Sequence, residues 1–246
     1  MTKVVRIHEF GGSEVLSIED DEIGAPGPGE VLLDQKGMAL HYADTMLREG
    51  KYHLKPELPA VVGLDGTGAV EAVGDGVTDF KPGDTACYMF NLGAYAERRI
   101  IAADALMPVP DGVDPKNLAG TFLRGMTAQY LLRQAYRVQS GDTVLIHTAA
   151  GGMGQLLCQW AKALGATVIG TVGSPGKARL AKAHGCDYPI IYSRENFVDR
   201  VRKITKGAMV PVVYDSIGKG TFPASLDCLQ HRGHAWLHSL VCSSKP

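Results

Sequence analysis

Apolar positions along this chain change their rhythm near residue 125. Before it they fall in short runs, "KVVRIHEF", "EVLSIE", "VLLDQKGMAL", "GTGAVEAVGDGV" and "FKPGDTACYMF", separated by Gly, Pro and Asp clusters such as "APGPGE". Such runs predict strands, and the series predicts a compact antiparallel, barrel-like domain over residues 1–124. After it, β-branched runs alternate with helical periodicity. "DTVLIHT" predicts a strand, and in "GQLLCQWAKAL" Leu156, Leu157, Trp160, Ala161 and Leu164 share one helical face, with Gly165 as the stop. "ATVIGTV" is the next strand. "SPGKARLAKAHG" is a helix with Ser174 as N-cap, Pro175 at its first position and Gly185 past its end. "YPIIY" is a third strand, "SRENFVDRVRKITKG" a helix opened by Ser193 and closed by Gly207, "VPVVYDS" a fourth strand and "TFPASLDCLQHRG" a further helix. This alternation predicts an α/β domain with a parallel, doubly wound sheet over residues 125–246.

Composition narrows the class. The 246 residues suit one large domain or two modest ones. Apolar residues are 45% and charged residues 21%, enough apolar surface to bury a core. A formal charge of −1 with no basic block argues against a nucleic-acid partner or an anionic membrane surface. Cys87, Cys158, Cys186, Cys228 and Cys242 are widely spaced with no C-x-x-C pair, which predicts free thiols in a reducing compartment. The N-terminus lacks the apolar run of a secretion signal and no stretch reaches membrane-spanning length, so a cytoplasmic protein is expected.

The candidate chemistry lies in "HTAAGGMGQ", residues 147–155, which joins the first α/β strand to its helix. Against G-x-G-x-x-G it places Ala149, Gly151 and Gly154 at the marked positions. Gly151 allows a diphosphate close to the backbone, Gly154 lets the helix sit tight on the sheet, and the amides at Gly152 and Met153 open the helix toward the phosphates. A glycine-rich turn alone is a weak signal. Between a buried strand and an amphipathic helix it predicts dinucleotide binding. An NAD site offers an acid at the end of the second strand, for the ribose 2′-hydroxyl. Here that strand ends "GTVGSPGK": Gly173 and Ser174 supply donors and Lys177 a cation, so NADPH is favoured. The plainer reading makes Ser174 a helix cap and Lys177 a surface charge; both roles can coexist.

Beyond that motif the sequence resembles a known family, the medium-chain dehydrogenase/reductases, and within it the zinc-free NADPH:quinone oxidoreductases related to zeta-crystallin. The stretches that carry the likeness are "PGPGEVLL", "VGDGVTDFKPGD", "AAGGMGQLLCQWAKALGATVIGTVGSPGK", "VVYDSIG" and "SLDCLQHRG". The resemblance implies a GroES-like catalytic domain followed by a Rossmann domain, with an active site drawn from both. Zinc-using relatives carry an early Cys, a Gly-His-Glu and a lobe of four cysteines. The corresponding stretches here read "ALHYADT", Gly63-Leu64-Asp65 and "CYMFNLGAYAE", so the converging ligands zinc needs are missing.

Without a Lewis acid the expected reaction is hydride transfer from NADPH to an electrophilic acceptor, a quinone, with a proton from water or a nearby donor. An enone or enoyl thioester is the alternative acceptor, and an inert nucleotide-binding protein the alternative class. By resemblance, Tyr42, Asp44 and Met46 line the nicotinamide end, Thr127 lies near the nicotinamide ribose or carboxamide, and Tyr192 and Ser216 flank the adenosine side. Tyr52 is placed toward the acceptor, for packing or proton donation. His41 stands where the family has Asn and is either a general acid or a satisfied structural residue.

The likeness stops after Arg232-Gly233. There the family has an apolar fifth strand ending in Phe-Gly, and then a sixth strand that pairs across a homodimer axis. The chain instead reads "HAWLHSLVCSSKP", which points to a shifted frame or a truncated product, with a genuine short form as the alternative, the last strands missing and the dimer in question. His231, His234 and His238 fall in this tail; on a helix the last two would share a face, but chance composition explains them better.

Overall fold

In a computed structural model, described over residues 1–238, the chain divides into two compact units, the first ending at Leu123 and the second beginning at Arg124.

The first unit is antiparallel throughout. β1 (Thr2–Ile7) pairs with β2 (Ser17–Asp21) and β4 (Ala60–Val61). A five-stranded sheet has the order β7–β3–β5–β6–β8, with β3 at Glu30–Met38, β5 at Gly66–Val73, β6 at Thr85–Tyr88, β7 at Arg98–Ala102 and β8 at Met107–Pro108. β3 alternates so that Val31 and Leu33 reach one core with Val70, Phe80, Tyr88 and Ile101. Each such fully buried apolar side chain contributes about 1.5–3 kcal/mol. α1 (Tyr42–Arg48) packs Met46 and Leu47 into a second cluster with Ile7, Tyr52, Val62 and Leu64.

α2 (Pro115–Gln129) carries the chain from one unit to the next and continues as a π-helical turn, Tyr130–Ala135. The apolar rhythm did not predict α2, because Gly120 and Gly125 interrupt it. Its start was nevertheless written in Asp114-Pro115: the Asp114 carboxylate accepts the Lys116 amide (3.0 Å), and Pro115 occupies the first turn.

The second unit is a parallel sheet of order β11–β10–β9–β12–β13. β9 is Thr143–Ile146, β10 Thr167–Val172, β11 Tyr188–Ile191, β12 Val210–Asp215 and β13 Leu229–Leu237. The connecting helices are α3 (Gly152–Ala163), α4 (Pro175–Ala183), α5 (Phe197–Ile204) and α6 (Phe222–Leu226). Leu157 and Ala161 of α3 are sealed against Val144, Ile146 and Val168, with Leu156, Trp160 and Leu164 at the margin of the same cluster. Gly165 and Gly185 end their helices in the left-handed region, at φ 86° and 93°.

Three expectations need correction. α5 is capped by Asn196, whose Oδ1 accepts the Val198 and Asp199 amides; Ser193 lies outside it, its hydroxyl directed to the Gly173 carbonyl. The helix expected over 221–233 is only Phe222–Leu226. The following residues form β13, so a fifth parallel strand is present: Val210 faces Leu229, then Val212 faces His234, and a bulge at Gln230–Gly233, with Arg232 at φ 63°, takes up the extra residues. Buried β12 recruits the off-pattern tail through its backbone. His231 and His234 therefore sit on a strand, where no helical face exists for His234 and His238 to share. Cys87, Cys158, Cys186 and Cys228 are buried free thiols; Cys242 lies outside the described residues.

Candidate functional site

The glycine loop follows β9 and opens α3. Gly151 is the N-cap of α3, in extended conformation and without a side chain to cap it. The first amides of an α-helix have no intrahelical acceptor, so those of Gly152, Met153 and Gly154 face outward as donors at the positive end of the helix dipole. Gly154 is buried: a Cβ there would lie 2.8 Å from the Ala149 Cα and closer still to the Thr148 carbonyl oxygen. This contact is why the helix needs glycine at that position. Ala149 is tolerated at the first motif position because the left-handed residue is its neighbour, Thr148, at φ 51°. A β-branched residue held there is strained backbone. Two contacts hold it: the Thr148 hydroxyl donates to the His147 carbonyl (2.7 Å), and the Ser216 hydroxyl bonds to the Thr148 oxygen.

Behind the loop lies a buried polar chain. The Thr171 hydroxyl donates to His147 Nδ1 (2.8 Å), and His147 Nε2 donates to Ser225 Oγ (2.9 Å). Ser225 donates to Asp215 Oδ2 (3.0 Å). Asp215 also accepts from the Ile217 and Gly218 amides (2.8 and 3.0 Å) and the Thr221 hydroxyl (2.7 Å). Burial pushes the Asp215 carboxyl up, but these donors outweigh it and hold the group below its ordinary value. Burial lowers His147 from 6.5 to about 4, so it is a neutral bridge. The chain ties together the ends of β9, β10 and β12, where Thr148 and Ser216 emerge.

The end of β10 brings the expected adenosine residues together. Ser174 caps α4 by accepting the Lys177 amide (3.3 Å), with Pro175 in the first turn. A Cβ on Gly173 would lie 2.9 Å from the Tyr192 hydroxyl, so that exposed ring stands beside the Gly173–Ser174 turn. Lys177 is exposed on α4, and no carboxylate follows β10 before it. One residue escaped the sequence reading: Arg124, whose Nε would be 3.2 Å from a Cβ on Gly152, lies against the first residue of α3. It precedes Thr127, half-buried in the same helix α2, by one turn, and that spacing was the available signal.

In the first unit, the residues expected around the nicotinamide separate into inward and outward groups. Tyr42 is 64% exposed. Met46 and Tyr52 are core residues, 8% and 4% exposed, and the Tyr52 ring lies tilted at 44° against that of His53 with ring centres 4.1 Å apart. Asp44 is also interior: Oδ2 accepts the His41 amide (2.7 Å) and the Tyr95 hydroxyl (3.1 Å), while Oδ1 is buried without a partner among the described residues. Desolvation raises the Asp44 carboxyl. α1 turns Met46 of its apolar face, and the first-turn carboxylate of Asp44 that caps it, inward, and Tyr52, which follows α1, is buried in the same cluster as Met46. His41 Nε2 pairs with Asp65 Oδ2 at 2.8 Å, and Asp65 Oδ1 accepts the Phe90 amide (3.0 Å). Asp65 was missed; it belonged to the Gly-Leu-Asp triplet read only for zinc.

That geometry coincides with two family models: "Alcohol dehydrogenase GroES-like domain" matches residues 27–140 and "Zinc-binding dehydrogenase" residues 152–245. The chain is 48% identical to a quinone oxidoreductase of Pseudomonas aeruginosa over 95% of its own length and 72% of the relative's. It is 47% identical to a 2-haloacrylate reductase of a Burkholderia species, with the same coverage. The crystal structure of Escherichia coli quinone oxidoreductase complexed with NADPH superposes with a TM-score of 0.90 at 40% identity, covering 96% of this chain and 72% of that one. This chain belongs to the quinone oxidoreductases of the medium-chain dehydrogenase/reductase superfamily, and is an oxidoreductase. The zinc in one model's description does not suit these residues. Zinc takes three or four converging ligands; here Leu64 is apolar and buried, His41 is bound to Asp65, and no three ligating side chains converge among the described residues.

Proposed function

We propose that this protein reduces quinones with NADPH as hydride donor and without a metal. One observation carries the reading: uncapped α3, with its outward amides, lies one strand away from the Gly173–Ser174 turn, where a hydroxyl, a cation and an aromatic ring are offered and the sequence from the end of β10 to Lys177 holds no carboxylate. The donors of the α3 N-terminus suit a diphosphate, and Ser174 and Lys177 suit a 2′-phosphate. Tyr192 and Ser216 stand at the strand ends that flank the adenosine. NADPH, when bound, supplies the hydride. Thr127 and exposed Tyr42 are the side chains assigned to its nicotinamide end. Asp44, Met46 and Tyr52 act from behind, holding α1. His41, fixed by Asp65, is assigned an orienting role in preference to that of a free acid. The NADPH complex of the E. coli relative supports the cofactor choice.

A second reading changes the acceptor to an activated alkene, and the 47% identity to a 2-haloacrylate reductase favours it specifically. A panel of naphthoquinone, benzoquinone, a simple enone and 2-chloroacrylate, each with NADPH, separates the two. Fastest turnover is expected with the quinones; turnover of the alkenes alone would replace the first reading with the second.

A further inference from the structure

Phe90 combines features that a packing role does not explain. It lies just beyond β6, its side chain is 56% exposed, and its backbone is in the left-handed region at φ 54°. Among the described non-glycine residues at positive φ it is the only aromatic. A bulky residue is strained in that conformation, and strained residues gather where ligands are clamped. The surrounding loop enforces the strain. The Phe90 amide donates to Asp65 Oδ1 (3.0 Å), the Asn91 amide to the Leu64 carbonyl (2.9 Å) and the Gly93 amide to the Gly63 carbonyl (3.0 Å). Arg99, whose guanidinium lies over the buried Tyr88 ring at 4.6 Å from its centre, donates to the Asn91 and Leu92 carbonyls (3.1 and 3.0 Å). Every residue from 90 to 93 therefore has a backbone group held in place. The ring at the head of this loop joins neither apolar cluster of the unit among the described residues. It is a rigid aromatic face turned to solvent.

The carboxylate that holds Phe90 also fixes what stands near it. Asp65 Oδ2 pairs with His41 Nε2 at 2.8 Å, so one side chain ties the Phe90 loop to the N-cap of α1. A partly buried imidazole and a rigid exposed phenyl ring lie within the span of one carboxylate. A flat conjugated ring bearing carbonyl oxygens matches that combination, since its face packs on an aromatic ring and its oxygens accept hydrogen bonds. We propose that Phe90 is a specificity-determining residue for the acceptor, packing against the flat ring of a quinone and favouring fused rings over single ones. The inference rests on the quinone reading above and deepens it. Phe90 is given no contact with the dinucleotide.

Steady-state reduction of naphthoquinone and benzoquinone by the full chain at saturating NADPH tests the assignment, with NADPH affinity read by nicotinamide fluorescence and stability by thermal melting. Phe90→Ala is expected to raise the KM for naphthoquinone about fivefold, the size of one lost aromatic pair, and the KM for benzoquinone less, with the Kd for NADPH unmoved. Phe90→Tyr, which keeps the ring, should hold both KM values. Phe90→Gly suits the left-handed backbone, so it should repeat the loss while melting no lower than the unmodified chain. That variant keeps the test usable should Phe90→Ala unfold. Unchanged KM values in the folded variants would overturn the inference, as would an equal rise for both quinones or a loss of NADPH affinity. A lower melting temperature for Phe90→Gly with KM unmoved would overturn it too, and mark a ring held for packing. In each of those cases the unmodified chain still reduces quinones and the parent reading survives. An unmodified chain that reduces neither quinone would remove both.

Discussion

Asp44 in the first unit and Asp215 in the second are both almost sealed from solvent, at 5% and 0% exposure, yet their carboxyls end on opposite sides of the ordinary value. Asp44 receives two hydrogen bonds on one oxygen and none on the other, and desolvation wins: its carboxyl is raised. Asp215 sits where β12 ends, and desolvation loses to two backbone amides and two hydroxyls: its carboxyl is lowered. The contrast reaches the rest of each unit. In the second, free amides gather at the carboxyl ends of parallel strands, where backbone builds a ligand site and its supports together. In the first, antiparallel strands satisfy their own backbone, and His41 joins two interior carboxylates, Asp44 through its amide and Asp65 through its ring.

The sharpest way to break that contrast is at the backbone. Gly154→Val places branched carbons against Thr148 and Ala149, and is expected to cost about 3 kcal/mol or more and to abolish dinucleotide binding, read by thermal melting and fluorescence titration. Asp215→Ala leaves two amides and two hydroxyls without their acceptor and should cost about 3–5 kcal/mol by denaturant titration. Asp44→Asn, at an oxygen that already lacks a partner, should change stability far less at neutral pH.

Acid titration separates the units without mutation. A base whose folded pKa is depressed supplies stability in full above its unfolded pKa and loses it as pH falls. His147, lowered from 6.5 to about 4, should therefore cost the fold about 3 kcal/mol between those two values, since the unfolded chain binds the proton first. Asp215 loses its contribution below the ordinary carboxylate range. Asp44, raised, runs the other way: it favours the fold at low pH, and that contribution fades as pH climbs through its folded value. His147→Gln should flatten the acid slope. At the small end, Met46→Leu should cost less than about 1.5 kcal/mol and leave dinucleotide affinity unchanged, as befits a core side chain. A large loss of affinity from that swap would restore Met46 to the site.

The second unit was the more legible because its signals are local. Ser174, Pro175, Gly165 and Gly185 mark helix ends within a few residues of the groups they serve, and the glycine loop follows its strand directly. What escaped depended on distant partners. α2 was hidden by Gly120 and Gly125, and Arg124 became significant only once Gly152 lay beside it. Leu229–Leu237 became a strand because β12 offered a buried edge. In the first unit, neither Met46 nor Tyr52 betrays which way α1 and the following loop face, and the His41–Asp65 pair joins residues on either side of β4. The resemblance identified the family correctly while its residue roles, carried position by position, mixed inward with outward side chains.

The preference between the two dinucleotides, before and after loss of one cation, tests the central claim most directly. NADPH and NADH are titrated against the unmodified chain and against Lys177→Ala. The unmodified chain is expected to bind NADPH more tightly, and the variant to lose about tenfold in NADPH affinity while holding NADH as before. Equal affinity for both in the unmodified chain, or an equal loss of both in the variant, would contradict a 2′-phosphate site at the end of β10.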